Sequence, residues 1–257
     1  MENNKLPSVF TISMFPSVSL DNEILLNSLL NVLEQIEQLI PTQWGPNEMT
    51  RLTYNKSDVL ERVLASPFKD TEIYLHRTEN LKYEGSFSLG YSFRSFLHFK
   101  FNSMPRTLWP LLFELSDSIA QIVKPRYGNT HIFWPSTVPW KTDQQRLHRW
   151  MNFCAQPAPV NFGPVGPLGL GHRTYFGEDI VELIGESSLL NTPAIVSENE
   201  WGGIQIDVVK EPWLSTPDQL LSAWLQSMNY LQETEVLAIP NFNLKDNRTV
   251  QFTVGDK

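Results

Sequence analysis

The segment Leu97-His98-Phe99-Lys100-Phe101 decides the fold class of this chain of 257 residues. Its apolar side chains fall on every second residue, which is the period of a β-strand, and the polar residues between them indicate a face that meets solvent. Shorter segments at 73–76 and 87–91 alternate in the same way. Because strands with one polar face are typical of antiparallel sheets, the pattern predicts such a sheet in the first half of the chain.

Helical patterns flank these strands. Residues 21–39 and 107–124 place leucine, isoleucine or valine at steps of three and four, which is the spacing of one helix face. Pro110 falls in the first turn of the second helix, where proline is tolerated. Helices and strands alternate along the chain without the long apolar runs of a buried parallel sheet. We therefore predict an α+β fold of mainly antiparallel sheets packed with helices, in two β-α-β-β-α-like halves.

A segment rich in proline and glycine divides the sequence. Residues 157–171 contain four prolines and four glycines, a composition typical of loops. The apolar residues between them predict a loop that is ordered on the protein surface. We place an N-terminal α+β half at residues 1–156 and an acidic C-terminal α+β half at residues 157–257, with one continuous domain as the alternative.

The acidic charge is concentrated in the second half. Residues 176–240 contain eleven carboxylates and one base, Lys210, for a formal balance of −10, whereas the whole chain carries −8. A field of this sign repels nucleic acid and anionic lipid and speeds association with cationic surfaces. We expect a cationic protein partner, with no direct contact to nucleic acid and no membrane partner. A solvated surface that is merely acidic is the alternative.

Patterns of catalysis and metal binding are weak in this sequence. The five histidines lack zinc-ligand spacing, and His76 and His98 occupy polar strand positions where an exposed imidazole is expected. Cys154 lies between apolar residues and is typical of a small buried side chain. Two prolines interrupt the glycines of 163–171, which argues against a phosphate cradle. We predict that the protein is not an enzyme and has no catalytic residues, no metal site and no cofactor.

The cellular location follows from three features of the sequence. The first residues show no signal peptide, and no apolar run approaches the roughly 20 residues of a membrane span. A single cysteine rules out an internal disulfide. We therefore expect a cytoplasmic protein.

Tryptophans accompany the carboxylates of the acidic segment. Trp224 lies on an apolar helix face and is expected in the core. Trp201 precedes two glycines in a turn, and Trp213 follows the next predicted strand. Aromatic residues beside carboxylates on loops are typical interface anchors, although packing over a sheet edge is the alternative. The candidate partner-binding residues are Glu178, Asp179, Glu182, Glu198, Glu200, Trp201, Asp207, Glu211 and Trp213.

Three segments carry a resemblance to a known family. They are residues 171–185 (Gly-His-Arg-Thr-Tyr-Phe-Gly-Glu-Asp-Ile-Val-Glu-Leu-Ile-Gly), residues 200–207 (Glu-Trp-Gly-Gly-Ile-Gln-Ile-Asp), and Pro212-Trp213. They resemble the C-terminal half of the immunity-protein-fifty-two-like family of polymorphic toxin immunity proteins. Members of that family are encoded beside toxins, including type VI secretion effectors with restriction-endonuclease-like nuclease domains.

The resemblance implies a non-catalytic, stoichiometric inhibitor that neutralises a cognate nuclease toxin. It also implies that residues 173–177 and 201–203 are scaffold that identifies the family more than it identifies the contact surface. Two alternatives stay open. One is an enzyme with a site between the halves near His172, Glu178 and Cys154, and the other is a secretion-system adaptor with several partners.

Overall fold

The computed structural model describes residues 6–7, 9–65, 72–89, 95–135, 142–155 and 169–234, and the backbone of 239–242 and 250–253. The chain forms two compact units. The N-terminal unit is Val9–Gly128, and the C-terminal unit is Asn129–Lys257 with Met1–Ser8. The predicted boundary at residues 156 and 157 lies outside the described residues and stays a prediction.

The N-terminal unit is built around an antiparallel sheet. Its elements are β1 (Val9–Pro16), α1 (Glu23–Glu34), β2 (Gln43–Gly45), β3 (Leu52–Thr53), α2 (Lys56–Leu64), β4 (Glu72–Arg77), β5 (Tyr83–Ser88), β6 (Phe96–Asn102), α3 (Trp109–Val123) and the start of β7 (Pro125–Phe133). The strand order is β3-β2-β4-β5-β6-β1-β7. Strand β5 pairs antiparallel with β4 on one side and with β6 on the other, so the expected antiparallel sheet is confirmed.

One face of this sheet forms a core with the helices. Leu97, Phe99 and Phe101 of β6 are at most 1% exposed, as the alternation predicted. Phe10 of β1 packs against Trp109 of α3 with ring centroids 5.2 Å apart. Helix α1 is shorter than expected, because it ends at Glu34 and a separate 3-10 turn follows. Its buried side chains are Leu26, Leu29, Leu30 and Leu33.

The C-terminal unit combines a second set of antiparallel strands with helices. After β7, its elements are α4 (Asp143–Cys154), β8 (Arg173–Phe176), α5 (Glu178–Ile184), α6 (Glu186–Leu190), β9 (Ile195–Glu198), β10 (Ile204–Asp207), α7 (Pro217–Gln232), β11 (Ile239–Phe242) and β12 (Val250–Thr253). The strand order is β7-β8-β10-β9, and β11 pairs with β12 in a separate sheet. Strand β10 pairs antiparallel with both β8 and β9. The predicted α+β class is confirmed.

Helix α7 begins with a capping box. The Thr216 hydroxyl accepts a hydrogen bond from the Gln219 amide, and the Gln219 side chain accepts one from the Thr216 amide. These two hydrogen bonds form a capping box, and Pro217 occupies the first turn of the helix. Trp224 is fully buried, donates its indole N–H to the Leu170 carbonyl at 2.7 Å, and meets the ring of Trp150 edge-on at 5.0 Å.

Strand β8 was not predicted. Phe176 ends this strand, and helix α5 begins at Glu178 after Gly177. All four residues of β8 are buried, so both faces are covered and polar and apolar residues do not alternate. The period-two signal was therefore absent.

The described residues contain no helix that is both long enough and apolar enough to cross a membrane.

Candidate protein-binding site

The register of the β8-β10-β9 strands brings separate acidic segments to one end of the sheet. Ile204, the first residue of β10, pairs with Phe176 at the end of β8 and with Glu198 at the end of β9. Neighbouring strands lie about 4.8 Å apart, so the segments that leave β8 and β9 here start close together. One segment leads into α5, and the other is the turn at 199–203. We call Glu178, Asp179, Glu182, Glu198 and Glu200 the acidic edge.

The side chains of the acidic edge are all exposed. Glu178 and Asp179 occupy the first turn of α5, where carboxylates complement the helix dipole. Glu182 follows one turn later, and Glu198 ends β9. Within the described residues, none of Glu178, Glu182, Glu198 and Glu200 forms a salt bridge. Their charge is therefore available to a partner.

The turn at 199–203 fixes Trp201 beside this charge. The Asn199 amide donates to the Gly203 carbonyl at 2.7 Å, and the Gly202 amide donates to the Asn199 carbonyl at 2.9 Å. Gly202 has φ +89°, a conformation that favours glycine. A Cβ atom on Gly203 would overlap the Trp201 ring, so this ring lies against the Gly203 backbone. Trp201 thus packs on the sheet end and is still half-buried rather than enclosed.

Three other predicted residues lie towards the opposite end of β10. Asp207 pairs in register with Arg173 and is buried, and its carboxylate accepts from the Arg173 Nε at 2.6 Å and from the Gln205 side-chain Nε2 at 2.8 Å. The exposed Glu211 and the half-buried Trp213 follow from that end. Four strand residues span about 10 Å, so these groups are separated from the acidic edge.

Three apolar side chains outside the predicted set are exposed between residues 183 and 195. Leu183 of α5 is 45% exposed, Leu190 of α6 is 41% exposed, and Ile195 of β9 is 45% exposed. Helix α6 contacts β9. In protein interfaces, exposed apolar side chains typically act as anchors and the charged side chains around them form the rim. The signal in the sequence was weak, because these residues belong to short elements without a repeated apolar stripe.

The alternative catalytic residues near His172 differ in their exposure to solvent. His172 and Cys154 are fully buried, whereas Glu178 is exposed. Burial raises the pKa of the Cys154 thiol, which suppresses the reactive thiolate. This finding removes Cys154 as an accessible nucleophile in the described structure.

His172 instead forms a buried pair with His131. The two rings stack with centroids 4.1 Å apart and planes 3° apart. The Ile132 amide donates to Nδ1 of His172 at 3.0 Å. Asn152 donates its Nδ2 to the Trp134 carbonyl, so its Oδ1 accepts from Nε2 of His131 at 3.2 Å. Burial lowers the pKa of His131 to about 4. Burial and the neighbouring His131 hold the pKa of His172 well below its ordinary value, so both rings are neutral at pH 7.

The N-terminal unit carries a depression of about 400 Å³ on its sheet. Acids and bases both line it, so its charge is mixed rather than acidic. The expectation of exposed imidazoles is wrong here, because His76 is only 7% exposed and His98 is half-buried with Nδ1 2.9 Å from the Ser13 hydroxyl. Burial lowers the pKa of both rings, to about 4 for His98. The lining residues are Glu48, Met49, Arg51, Tyr74, His76, Glu84, Gly85, Ser86, His98 and Lys100.

Within the described ranges, no group of three or more histidine, cysteine, aspartate or glutamate side chains is placed to hold a metal ion.

The fold has a counterpart among solved structures. It is similar to that of a protein described as the Pseudomonas aeruginosa T6SS protein PA0821, with a TM-score of 0.56 and 12% identity. The match covers 99% of this chain and 82% of that chain. No protein-family model matches the chain, and no curated protein matches it in sequence. The likeness therefore shows a shared fold, and the family resemblance of residues 171–213 stays a prediction.

Proposed function

We propose that this protein is an immunity protein that binds a cognate toxin of a type VI secretion system and neutralises it as a stoichiometric inhibitor. The observation that carries the proposal is the acidic edge, in which exposed carboxylates from α5, β9 and the following turn share one end of a sheet. The resemblance to toxin immunity proteins supports it. So does the fold shared with a protein whose description names this secretion system.

The partner that fits this surface is a nuclease toxin. A nuclease presents a cationic surface to the phosphates of its substrate, and the acidic edge offers that surface a protein ligand of opposite charge. Electrostatic attraction of this kind raises association rates towards about 10⁸–10⁹ M⁻¹s⁻¹ at low salt. Affinity then depends on apolar side chains that become desolvated, for which Trp201 and Leu183 are candidates. Ile195 pairs with Asp207 at the other end of β10 and is a candidate for a partner that extends along the sheet.

Asp207 has a different part in this proposal from the other predicted residues. Its carboxylate is used by Arg173 and Gln205, so it stabilises the pairing of β10 with β8. Glu211 and Trp213 lie towards the other end of β10 and would contact only a partner that extends along the sheet. The exposed carboxylates therefore set the association rate, and Asp207 maintains the strand that supports them.

Co-expression with candidate toxins tests the function. Each protein encoded beside the gene for this chain is expressed in a bacterial host with and without this protein, and survival is scored. We expect one neighbour to kill the host unless this chain is present, and the two purified proteins to form a complex of fixed stoichiometry. Survival that depends on no neighbouring protein contradicts the proposal, and binding to several secretion proteins without rescue would indicate an adaptor.

Charge reversal tests the surface. A variant with Glu178, Glu182, Glu198 and Glu200 changed to lysine should associate more slowly with the toxin, lose most of the salt dependence of its association rate, and protect the host less well. The matched control reverses four exposed glutamates of the N-terminal unit, which gives the same change in net charge: Glu37, Glu61, Glu79 and Glu114. Equal protection by both variants would exclude the acidic edge as the contact surface.

A further inference from the structure

Strand β9 is the free edge of the C-terminal strands. It is the last strand in the order β7-β8-β10-β9, and no other described strand pairs with it on the side away from β10. Three of its four side chains are exposed. An exposed edge with unpaired backbone groups is a template for another extended chain.

The hydrogen bonds of the adjoining turn show which backbone groups face outward. The Asn199 amide donates to the Gly203 carbonyl, so this pair occupies a hydrogen-bonded position. Such positions alternate along an antiparallel ladder, which makes Ser197 the next residue bonded to β10, through its pair Gln205. Val196 and Glu198 occupy the positions between, and their N–H and C=O groups point away from β10.

We infer that β9 binds an extended, cationic segment of the toxin as an added strand. This inference rests on the proposed function and specifies how the partner binds. The backbone groups of Val196 and Glu198 supply the hydrogen bonds, and the exposed side chain of Ile195 supplies an apolar contact. Glu198 and Glu200 lie at the end of the strand and favour lysine or arginine in the guest.

Charge also decides between a toxin segment and a second copy of this chain. Pairing β9 with β9 of a second copy would bring two sets of carboxylates together, and each chain carries a formal charge of −8. Short edges with charged side chains are a common protection against self-pairing. A cationic strand removes this repulsion, whereas a second copy adds to it.

Hydrogen exchange of the purified full-length protein with a synthetic probe tests the inference without the toxin. The probe is an acetylated and amidated hexapeptide of alternating lysine and valine, and its control replaces lysine with glutamate. We expect the cationic peptide to slow exchange at the Val196 and Glu198 amides. The Ser197 amide, already bonded to β10, should change much less. No added protection at Val196 and Glu198, or equal protection by the glutamate peptide, would overturn the inference.

A proline variant tests the role of the backbone. Val196→Pro removes one outward N–H and spares the bonds to β10, and proline is tolerated on edge strands. Val196→Ala is the matched control, because it shortens the side chain and keeps the N–H. We expect Val196→Pro to bind the cationic peptide about tenfold more weakly, as the loss of one hydrogen bond predicts, and Val196→Ala to bind it nearly as the wild type does.

Two further outcomes separate this inference from its alternatives. Equal binding by Val196→Pro and Val196→Ala would show that side chains rather than the strand edge hold the peptide. A wild-type dimer in sedimentation equilibrium that Val196→Pro dissociates would assign the edge to a second copy. If the cationic peptide binds as expected but no toxin is neutralised, the strand edge stands and the proposed function fails.

Discussion

The Asp207 carboxylate lies 2.6 Å from Nε of Arg173, and the two side chains are only 10% and 11% exposed. The residues face each other in the register of β10 and β8. Breaking a buried pair by removing one charge costs about 3–5 kcal/mol, because the other charge is left uncompensated. The pair is therefore expected to oppose the separation of β10 from β8.

Asp207→Asn should lower the free energy of unfolding by about 3 kcal/mol, since it removes the buried carboxylate charge that lies 2.6 Å from Nε of Arg173. Urea denaturation followed by circular dichroism measures the change. Glu211→Gln is the matched control, because Glu211 is exposed in the same segment and its loss should change stability by less than about 0.5 kcal/mol. Equal stability of the two variants would show that the ion pair contributes little.

Stability should fall with acidity because His131 and His172 are buried in the neutral form. Their pKa values are lower in the folded protein than the ordinary 6.5, so below pH 6.5 the unfolded chain binds protons first. The stabilisation is fully present above pH 6.5 and is lost as the pH falls from there to about 4. The difference for His131 alone is on the order of 3 kcal/mol.

Urea denaturation at pH 8, 6, 5 and 4 measures this dependence. His131→Gln removes one titrating ring, so its stability should change less steeply with pH than that of the wild type, whatever its stability at pH 8. The half-buried His98, whose pKa is also lowered, contributes a slope of its own that is common to both proteins. Parallel curves for the two proteins would contradict the assignment of the slope to His131.

Gly203→Ala should destabilise the turn that carries Trp201. The added methyl would overlap the Trp201 ring and lie 2.8 Å from the Phe176 carbonyl, and overpacking of this kind costs about 1–3 kcal/mol. Gly202→Ala is the control, because it has open space around its Cβ and should cost about 1 kcal/mol from its positive φ alone.

A double variant isolates the contact with the ring. If the overlap with Trp201 dominates, Gly203→Ala combined with Trp201→Ala should cost less than the sum of the two single changes. Strictly additive costs, measured by thermal unfolding, would place the strain at the Phe176 carbonyl instead.

The exposed apolar residues should control the lifetime of the toxin complex. Leu183→Ser and Ile195→Ser should each raise the dissociation rate and leave the association rate nearly unchanged, because apolar anchors act after encounter and charges act before it. Leu64→Ser is the control, since Leu64 is 51% exposed in the N-terminal unit. Surface plasmon resonance separates the two rates, and an equal effect of Leu64→Ser would point to general destabilisation.

Local patterns in the sequence predicted those elements whose two faces differ. The alternation at 97–101 became β6, and the apolar spacing at 107–124 became α3. Strand β8 escaped because both of its faces are buried. The exposure of His76 was predicted wrongly for a related reason, since a polar residue in an alternating strand pattern does not show which other side chains cover it.

The candidate site depended on register, which the sequence does not state. Eleven carboxylates in one segment predicted an acidic region. The pairing of Ile204 with both Phe176 and Glu198 determines which of these carboxylates lie at the same end of the sheet. The same pairing places Asp207 opposite Arg173, a contact that no spacing along the chain suggests. The number of carboxylates could therefore be predicted from the sequence, whereas their positions relative to one another could not.

The edge-on contact of Trp150 with Trp224, 5.0 Å between centroids, provides an optical reporter of the C-terminal unit. Two indoles this close couple their electronic transitions, which produces near-ultraviolet circular dichroism that depends on their mutual orientation. Because one ring belongs to α4 and the other to α7, any loosening of these helices would change that signal before the helices themselves unwind.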